Sequence, residues 1–288
     1  VASVDQARLI AEVSDEAAEL FEKFSPGPLT LILPKKQIVP DLTTSGHSTV
    51  AVRIPNHPIT LEVIRNSGLC IAAPSANPFG SISPTKPKHV KRYFKNSIEQ
   101  ILDGGTCTNG IESTIIGFEN NSPVIYRLGA LDIEEIENVV GLVTIKNKKE
   151  KNIEAPGMLA RHYAPFTKTI LSENLQLDIN TYNNKRIGIL SFKLKLKDNS
   201  IAKQIVLSPS GNIQEAAAKL YDAMHKLDCA DLDIIIAEKF PDSGLGKYRE
   251  KLFDLMSAII VDPDILLDKY VSPVKVIIFN LSDCINLK

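Results

Sequence analysis

CIAAPSANPFGSISPT, residues 70–85, sets the reading of the rest of the chain. It predicts a buried apolar strand over Leu69–Ala73 that runs into a turn carrying Ser75, Asn77, Ser83 and Thr85, with Pro74, Pro78, Gly80 and Pro84 fixing the backbone. Small hydroxyls and an amide at the end of a strand suit a polar ligand, because they supply hydrogen bonds without net charge. A second polar turn, Gly110-Ile111-Glu112-Ser113-Thr114, stands beside another apolar run. Two such turns able to converge make a binding site a stronger reading than either alone.

Working outward, apolar residues at helical spacing (Ala7, Ile10, Val13, Ala17, Leu20, Phe21, Phe24) predict one helix over residues 4–24, stopped by Ser25-Pro26-Gly27-Pro28. Strands are predicted over Leu29–Leu33, Val50–Ile54, Ile101–Asp103, Ser113–Gly117 and Val124–Arg127, with helices over Pro58–Ser67, Pro87–Phe94 and Ile133–Val139. Lys146–Asn152 is a charged break, followed by a linker that carries Arg161-His162-Tyr163. From about Lys185 strands (Ile187–Phe192, Gln204–Leu207, Leu232–Ala237) alternate with helices (Ile213–Leu227, Lys247–Ile260), the pattern of a small parallel α/β domain. The expected organisation is a catalytic domain over 1–148, a linker or lid over 149–183 and a C-terminal α/β domain over 184–288.

A chain of 288 residues with 44% hydrophobic and 23% charged residues suits a two-domain globular protein. A net charge of −1 argues against coating nucleic acid by bulk charge. No apolar run reaches membrane-spanning length, and the mixed, acidic beginning is unlike a signal peptide, so cytoplasm is the expected location. Cys70, Cys107, Cys229 and Cys284 show neither CxxC nor Cys/His ligand spacing, and Cys70 and Cys229 are read as core thiols.

Arg53 and Arg127 each close an apolar strand, where a guanidinium fork suits carboxylate or phosphate. With Thr49, Ser113 and Thr85 they form a donor set for an anionic, hydroxyl-rich ligand, and no nucleophile–base pair accompanies them. That combination favours positioning and charge stabilisation over covalent hydrolysis. Each residue also has a plain structural reading: hydroxyls in proline turns often hold the turn, and the basic helix Lys86–Arg92 is a solvated face before it is an RNA contact. Asp103-Gly104-Gly105 is a turn signal, and Gly244-Leu245-Gly246 lacks the third glycine of a dinucleotide fingerprint.

Phe24-Ser-Pro-Gly-Pro-Leu-Thr-Leu-Ile-Leu33, Thr49-Val-Ala-Val-Arg53, Ala73-Pro-Ser-Ala-Asn77, Ser83-Pro-Thr85, Asp103-Gly-Gly105, Gly110-Ile-Glu-Ser-Thr-Ile115 and Tyr126-Arg127 together resemble the YrdC-like family. Pro156-Gly-Met158, Arg161-His-Tyr-Ala-Pro165 and the α/β tail resemble its two-domain members, the threonylcarbamoyl-AMP synthases. The resemblance implies a twisted open α/β sheet with a concave basic cavity, joined to a smaller Rossmann-like parallel domain. It implies a nucleotidyl transfer in which L-threonine, bicarbonate and ATP give threonylcarbamoyl-AMP and pyrophosphate. The product would feed a downstream transferase that modifies the adenosine beside the anticodon of certain tRNAs.

Carried over by motif position, Arg53, Ser75 and Ser113 would hold threonine, while Thr49, Asn77, Ser83, Thr85, Arg127, His162 and Tyr163 would contact ATP. Mg2+ is expected with the triphosphate, although only Glu112 stands near as a candidate ligand. The family's Thr-Asp-Thr-Val-Tyr-Gly-like strand and Lys-x-Arg pair have no counterpart here, and the chain starts at Val1 rather than Met, so an incomplete N-terminal portion is expected. The competing readings are an RNA-binding YrdC-like module, with possible tRNA contact, and a catalytically incomplete fragment.

Overall fold

Ser3 and Ser14 each turn a side-chain oxygen onto the exposed amide three residues on, and so start two helices where the periodicity predicts one. The computed structural model describes residues 1–78, 80–146 and 164–239. Helix α1 (Val4–Ile10) ends at Ala11, which pairs with Lys35, and α2 (Asp15–Phe24) begins again after Ser14. The apolar stripe runs through both, but backbone bonds from Glu12 to Pro34 and from Lys36 to Ile10 hold the break open.

The described chain falls into two units, the first comprising residues 1–74 and 112–146. After α2 come β1 (Leu29–Pro34), α3 (Asp41–Thr44), β2 (Thr49–Val52) and α4 (Pro58–Ser67). Residues 75–111, which carry α5 (Pro87–Phe94), belong to the second unit. The first unit resumes with β3 (Thr114–Glu119), β4 (Ser122–Arg127), α6 (Ile133–Val140) and β5 (Thr144–Ile145). Its mixed sheet has the order β2-β1-β3-β4-β5, with β1 antiparallel to β2 and parallel to β3.

Alternation gives this sheet two unlike faces. Leu29, Leu31, Leu33, Val52, Ile116 and Ile125 join Ala7, Leu20, Phe21 and Ile136 in one core, so α1, α2 and α6 cover that side. The other side carries Thr30, Ile32, Thr49 and Ala51, with Ile115, Ile32 and Tyr126 in a small cluster of their own.

The second unit adds β6 (Thr169–Ser172), α7 (Leu175–Thr181), β7 (Ile187–Ser191), β8 (Ile201–Val206), α8 (Ile213–Asp228) and β9 (Ile234–Glu238) to residues 75–111. The sheet order β6-β9-β7-β8 is parallel throughout. Its inner strand β7 is buried at every position, as a parallel strand covered on both faces requires. Ile179 of α7 packs on Ile187, Ile189, Ile234 and Ile236, while α8 covers the opposite face and also encloses Ile82. The α/β class and the parallel C-terminal sheet expected from the sequence are therefore present.

Several local expectations are corrected. Leu69–Ala73 forms no strand: it has no ladder partner and is half-buried to exposed. Ile101–Asp103 is likewise outside any strand, because no described segment pairs with it. Cys229 is exposed rather than a core thiol, since it stands at the C-terminal end of α8. The stretch assigned to a linker contributes β6 and α7 in its later part, so the parallel sheet starts before Lys185. The predicted helix Lys247–Ile260 lies outside the described residues.

Candidate functional site

Ser113 immediately precedes β3, beside the first turn of β1, and both strand ends are held together by a bond from Thr114 N–H to Pro28 O (2.9 Å). Its hydroxyl lies 2.7 Å from that of Thr30, which fixes Ser113 on the face away from the helical core. Arg127, at the end of β4, donates to the Ser113 carbonyl from Nε (3.1 Å) and Nη2 (3.0 Å), and to the Ser113 hydroxyl from Nη2 (3.1 Å). A planar guanidinium forking onto one residue orients the cation rigidly, which a flexible ammonium could not do.

Arg53 approaches the same corner from the other side. It follows β2, is exposed, and donates from Nε to Gly27 O (3.1 Å), while Gly27 N–H donates to Ile54 O (2.9 Å). Gly27 and Pro28 thus link Arg53 on one side to Thr114 and Ser113 on the other. Arg53, Ser113 and Arg127, three residues singled out from the sequence, are joined through one hydrogen-bonded corner of the open sheet face.

Thr49 shares that face but not that corner. Pro34 pairs with Thr49 and Leu29 with Thr114, which separates the two ends by about 17 Å along β1. Thr49 lines a cavity of about 470 Å³ with Glu12, Ser14, Ile32, Phe118 and Tyr126. Glu119 accepts from Lys146 (2.7 Å) and from Tyr126 (2.7 Å), and these bonds hold its carboxyl below the usual range.

Two residues missed by sequence reasoning complete the corner. Thr30 is a polar residue inside an apolar strand, and that mismatch is the signal that could have found it. Gly129 is needed because a Cβ there would stand 1.8 Å from Thr114 N and 2.1 Å from the Ser113 carbonyl carbon. Only the absence of a side chain lets the segment after β4 lie against the Ser113 backbone.

Ser75, Asn77, Ser83 and Thr85 belong to the second unit and are held there in different ways. Ser75 is exposed, and its carbonyl accepts from Asn77 N–H (2.9 Å). Asn77 turns inward: its amide donates to Pro78 O (3.1 Å) and Ser81 O (3.1 Å), closing the loop, while Oδ1 is buried without a partner. The Ser83 carbonyl faces His225 Nε2 (3.2 Å). Thr85 donates its N–H to His89 Nδ1 (3.2 Å) and accepts Cys107 N–H (2.9 Å), and its hydroxyl is buried without a partner. His162 and Tyr163 lie outside the described residues.

The basic helix α5 is only partly a solvated face: Lys86, just before it, pairs with Asp222 (2.8 Å) and Arg92 with Asp228 (3.3 Å), both on α8, while Lys88 and Lys91 are exposed. Among the described residues no cluster of three or more His, Cys, Asp or Glu could hold a metal ion, so Glu112 belongs to no such cluster. The corner is cationic and hydroxylic, a donor set that does not fit a protein-held Mg2+.

These features define a class: an α/β domain with one face of a mixed sheet covered by helices and the other carrying hydroxyls and guanidinium groups at one corner, in a chain that also holds a parallel α/β unit. Residues 1–129 match the family model described as telomere recombination, and residues 131–248 match that of the threonylcarbamoyl-AMP synthase C-terminal domain. The chain is 38% identical over 261 residues to the threonylcarbamoyl-AMP synthase of Pyrococcus abyssi, covering 85% of this chain and 75% of that one. It is 39% identical over 249 residues to the Bacillus subtilis threonylcarbamoyl-AMP synthase, covering 83% and 72% respectively. The crystal structure of Pyrococcus abyssi Sua5 complexed with L-threonine superposes with a TM-score of 0.79 at 36% identity, covering 90% of this chain and 79% of that one. The chain belongs to the threonylcarbamoyl-AMP synthase family. Among its described residues no helix is long and apolar enough to cross a membrane.

Proposed function

We propose that this protein makes L-threonylcarbamoyladenylate from L-threonine, bicarbonate and ATP, releasing pyrophosphate, as the adenylate-forming step of tRNA threonylcarbamoylation in the cytoplasm. The threonine amine adds to bicarbonate carbon with loss of water, giving a carbamate. A carbamate oxygen then displaces pyrophosphate from the α-phosphorus of ATP. Neither step needs a protein nucleophile, in keeping with a site built from hydroxyls and guanidinium groups.

The observation that carries this reading is the corner itself, where Arg53 and Arg127 are linked through Gly27, Pro28 and Ser113. In this assignment Arg53, Ser75 and Ser113 hold threonine, the guanidinium of Arg53 meeting its carboxylate. Arg127, Thr49, Asn77, Ser83 and Thr85 hold ATP, Arg127 stabilising charge on the phosphates. Mg2+ would travel with the triphosphate rather than on a protein carboxylate cluster.

The test is pyrophosphate release with each substrate omitted in turn. Release is expected only when threonine, bicarbonate and ATP are all present. Release without threonine would overturn the assignment.

A further inference from the structure

In the second unit, α5 and α8 together hold the Ser83–Thr85 segment through a layer of rings, His89 and Tyr93 from α5 and His225 from α8. His89 and His225 are 4% and 2% exposed and stack with centroids 3.8 Å apart at 22°. Three backbone groups in a row are taken by this layer: Tyr93 O–H donates to Ile82 O (3.0 Å), His225 Nε2 reaches Ser83 O (3.2 Å), and His89 Nδ1 accepts Thr85 N–H (3.2 Å). These bonds settle the tautomers. His225 must carry its proton on Nε2 to donate to a carbonyl, and His89 must leave Nδ1 bare to accept an amide.

The proton of His89 then sits on Nε2, 3.4 Å from Asp222 Oδ1, and Asp222 is anchored by Lys86 (2.8 Å) and Lys226 (2.7 Å). Asp222 Oδ1 thus stands beside the His89 ring at 3.4 Å without a hydrogen bond to it, while the ring itself holds the Thr85 amide. Behind the second polar turn α8 comes closer still: a Cβ on Gly110 would stand 2.2 Å from Ala218 O.

We infer that His225 and Asp222, both on α8, are positioning residues for nucleotide: they set the backbone of Ser83–Thr85 so that its hydroxyls meet ATP. Ser83 and Thr85 fall within the first family match and His225 and Asp222 within the second. The C-terminal domain thereby contributes to nucleotide affinity without touching the nucleotide. The buried, unpartnered hydroxyl of Thr85 beside this clamp is a group whose hydrogen-bonding demand a ligand can meet. The inference rests on the assignment of Ser83 and Thr85 to ATP.

The test compares His225→Phe, which keeps a flat ring but loses the donor, with His225→Gln, whose Nε2 can still donate to Ser83 O. ATP KM, threonine KM and kcat are read from pyrophosphate release, alongside Tm. A misplaced turn should raise ATP KM in His225→Phe by about tenfold or more, leave threonine KM within about twofold, and be largely restored in His225→Gln. Leu220→Ala, in the same helix but in its apolar core, should lower Tm without raising ATP KM. If His225→Phe does not fold, Asp222→Ala at its partly exposed position takes its place and should also raise ATP KM. An unchanged ATP KM in the His225→Phe or substitute variant, or an equal rise in Leu220→Ala, overturns the inference. Ser83→Ala and Thr85→Val separate the two levels: if both leave ATP KM unchanged, the nucleotide assignment itself fails and takes the inference with it. If they raise ATP KM while the α8 variants do not, the inference alone falls.

Discussion

Arg127 Nη2 donates to both the carbonyl (3.0 Å) and the hydroxyl (3.1 Å) of Ser113, so the last residue of β4 is locked onto the residue before β3. The arrangement holds one cation against Ser113 and occupies one acceptor position of its hydroxyl. It gives the two residues a shared role. Arg127→Lys keeps the charge but loses the fork, so kcat/KM for ATP should fall by about 10–100-fold, corresponding to the roughly 1.5–3 kcal/mol of charged hydrogen bonds. Steady-state pyrophosphate release at varied ATP measures this.

Arg53 stands at the other side of the corner and is assigned to a carboxylate. Arg53→Ala should weaken threonine by about 2–5 kcal/mol, as for the loss of one partner of a desolvated charge pair, with a much smaller effect on ATP. Threonine titration by calorimetry reads the affinity. Equal losses for both ligands would contradict the separate assignments.

The Thr30–Ser113 pair is buried, and a double-mutant cycle can isolate it. Thr30→Val and Ser113→Ala should show a coupling of about 0.5–1.5 kcal/mol in unfolding free energy, the usual net value of such a bond. Coupling near zero would mean that the 2.7 Å approach contributes nothing to holding β1 against β3.

Gly129→Ala should be among the most damaging small substitutions. Its Cβ would overlap Thr114 N at 1.8 Å, and neither neighbour is a flexible side-chain end, so backbone must move. A loss of about 1–3 kcal/mol is expected by analogy with overpacked cores, with activity falling further than stability because Ser113 shifts. Chemical denaturation with parallel activity measurements checks both.

Acid should weaken the second unit before the first. Burial, and then the neighbouring His225, push His89 from the ordinary 6.5 down to about 4, against an opposing pull from Asp222. The unfolded chain therefore binds a proton on this residue between those values while the folded chain does not. Stability is complete above about pH 6.5 and declines towards pH 4. The charged groups around it are Lys86, Lys88 and Arg92 on the α5 side and Asp222, His225, Lys226 and Asp228 on α8. His225 is shifted down as well, mainly by burial, and adds to the same trend. Asp222, held at about 2 by Lys226 and Lys86 despite burial, acts only at lower pH. Thermal melts from pH 7.5 to 4.5 should show falling Tm, with a flatter profile in His89→Asn.

Local signals carried much of the fold. Helices α4 and α5 are found at the predicted residues because Pro at the first turn and a left-handed or polar stop mark both ends. Paired apolar runs gave β1, β3, β4 and β7 within a few residues. What failed depended on partners far along the chain. Nothing in residues 4–24 tells that Ala11 will pair with Lys35, and nothing in Leu69–Ala73 tells that no strand awaits it. Arg92 reads as a solvated cation until α8 places Asp228 beside it, 136 residues away. The site was partly legible for a similar reason: Arg53, Ser113 and Arg127 stand at the ends of apolar runs, before or after a strand, and show in the motif, whereas Thr30 and Gly129 act only through register and contact.

Residues 75–111 leave the first unit and return to it, yet their apolar and ionic partners, Ile82 with the α8 core and Arg92 with Asp228, are in the second. Severing the polypeptide between 146 and 164 would not release two self-sufficient halves. The amino-terminal piece would carry a loop whose hydrophobic and charged faces had lost their complement, and loss of the carboxy-terminal piece would be felt first in that loop.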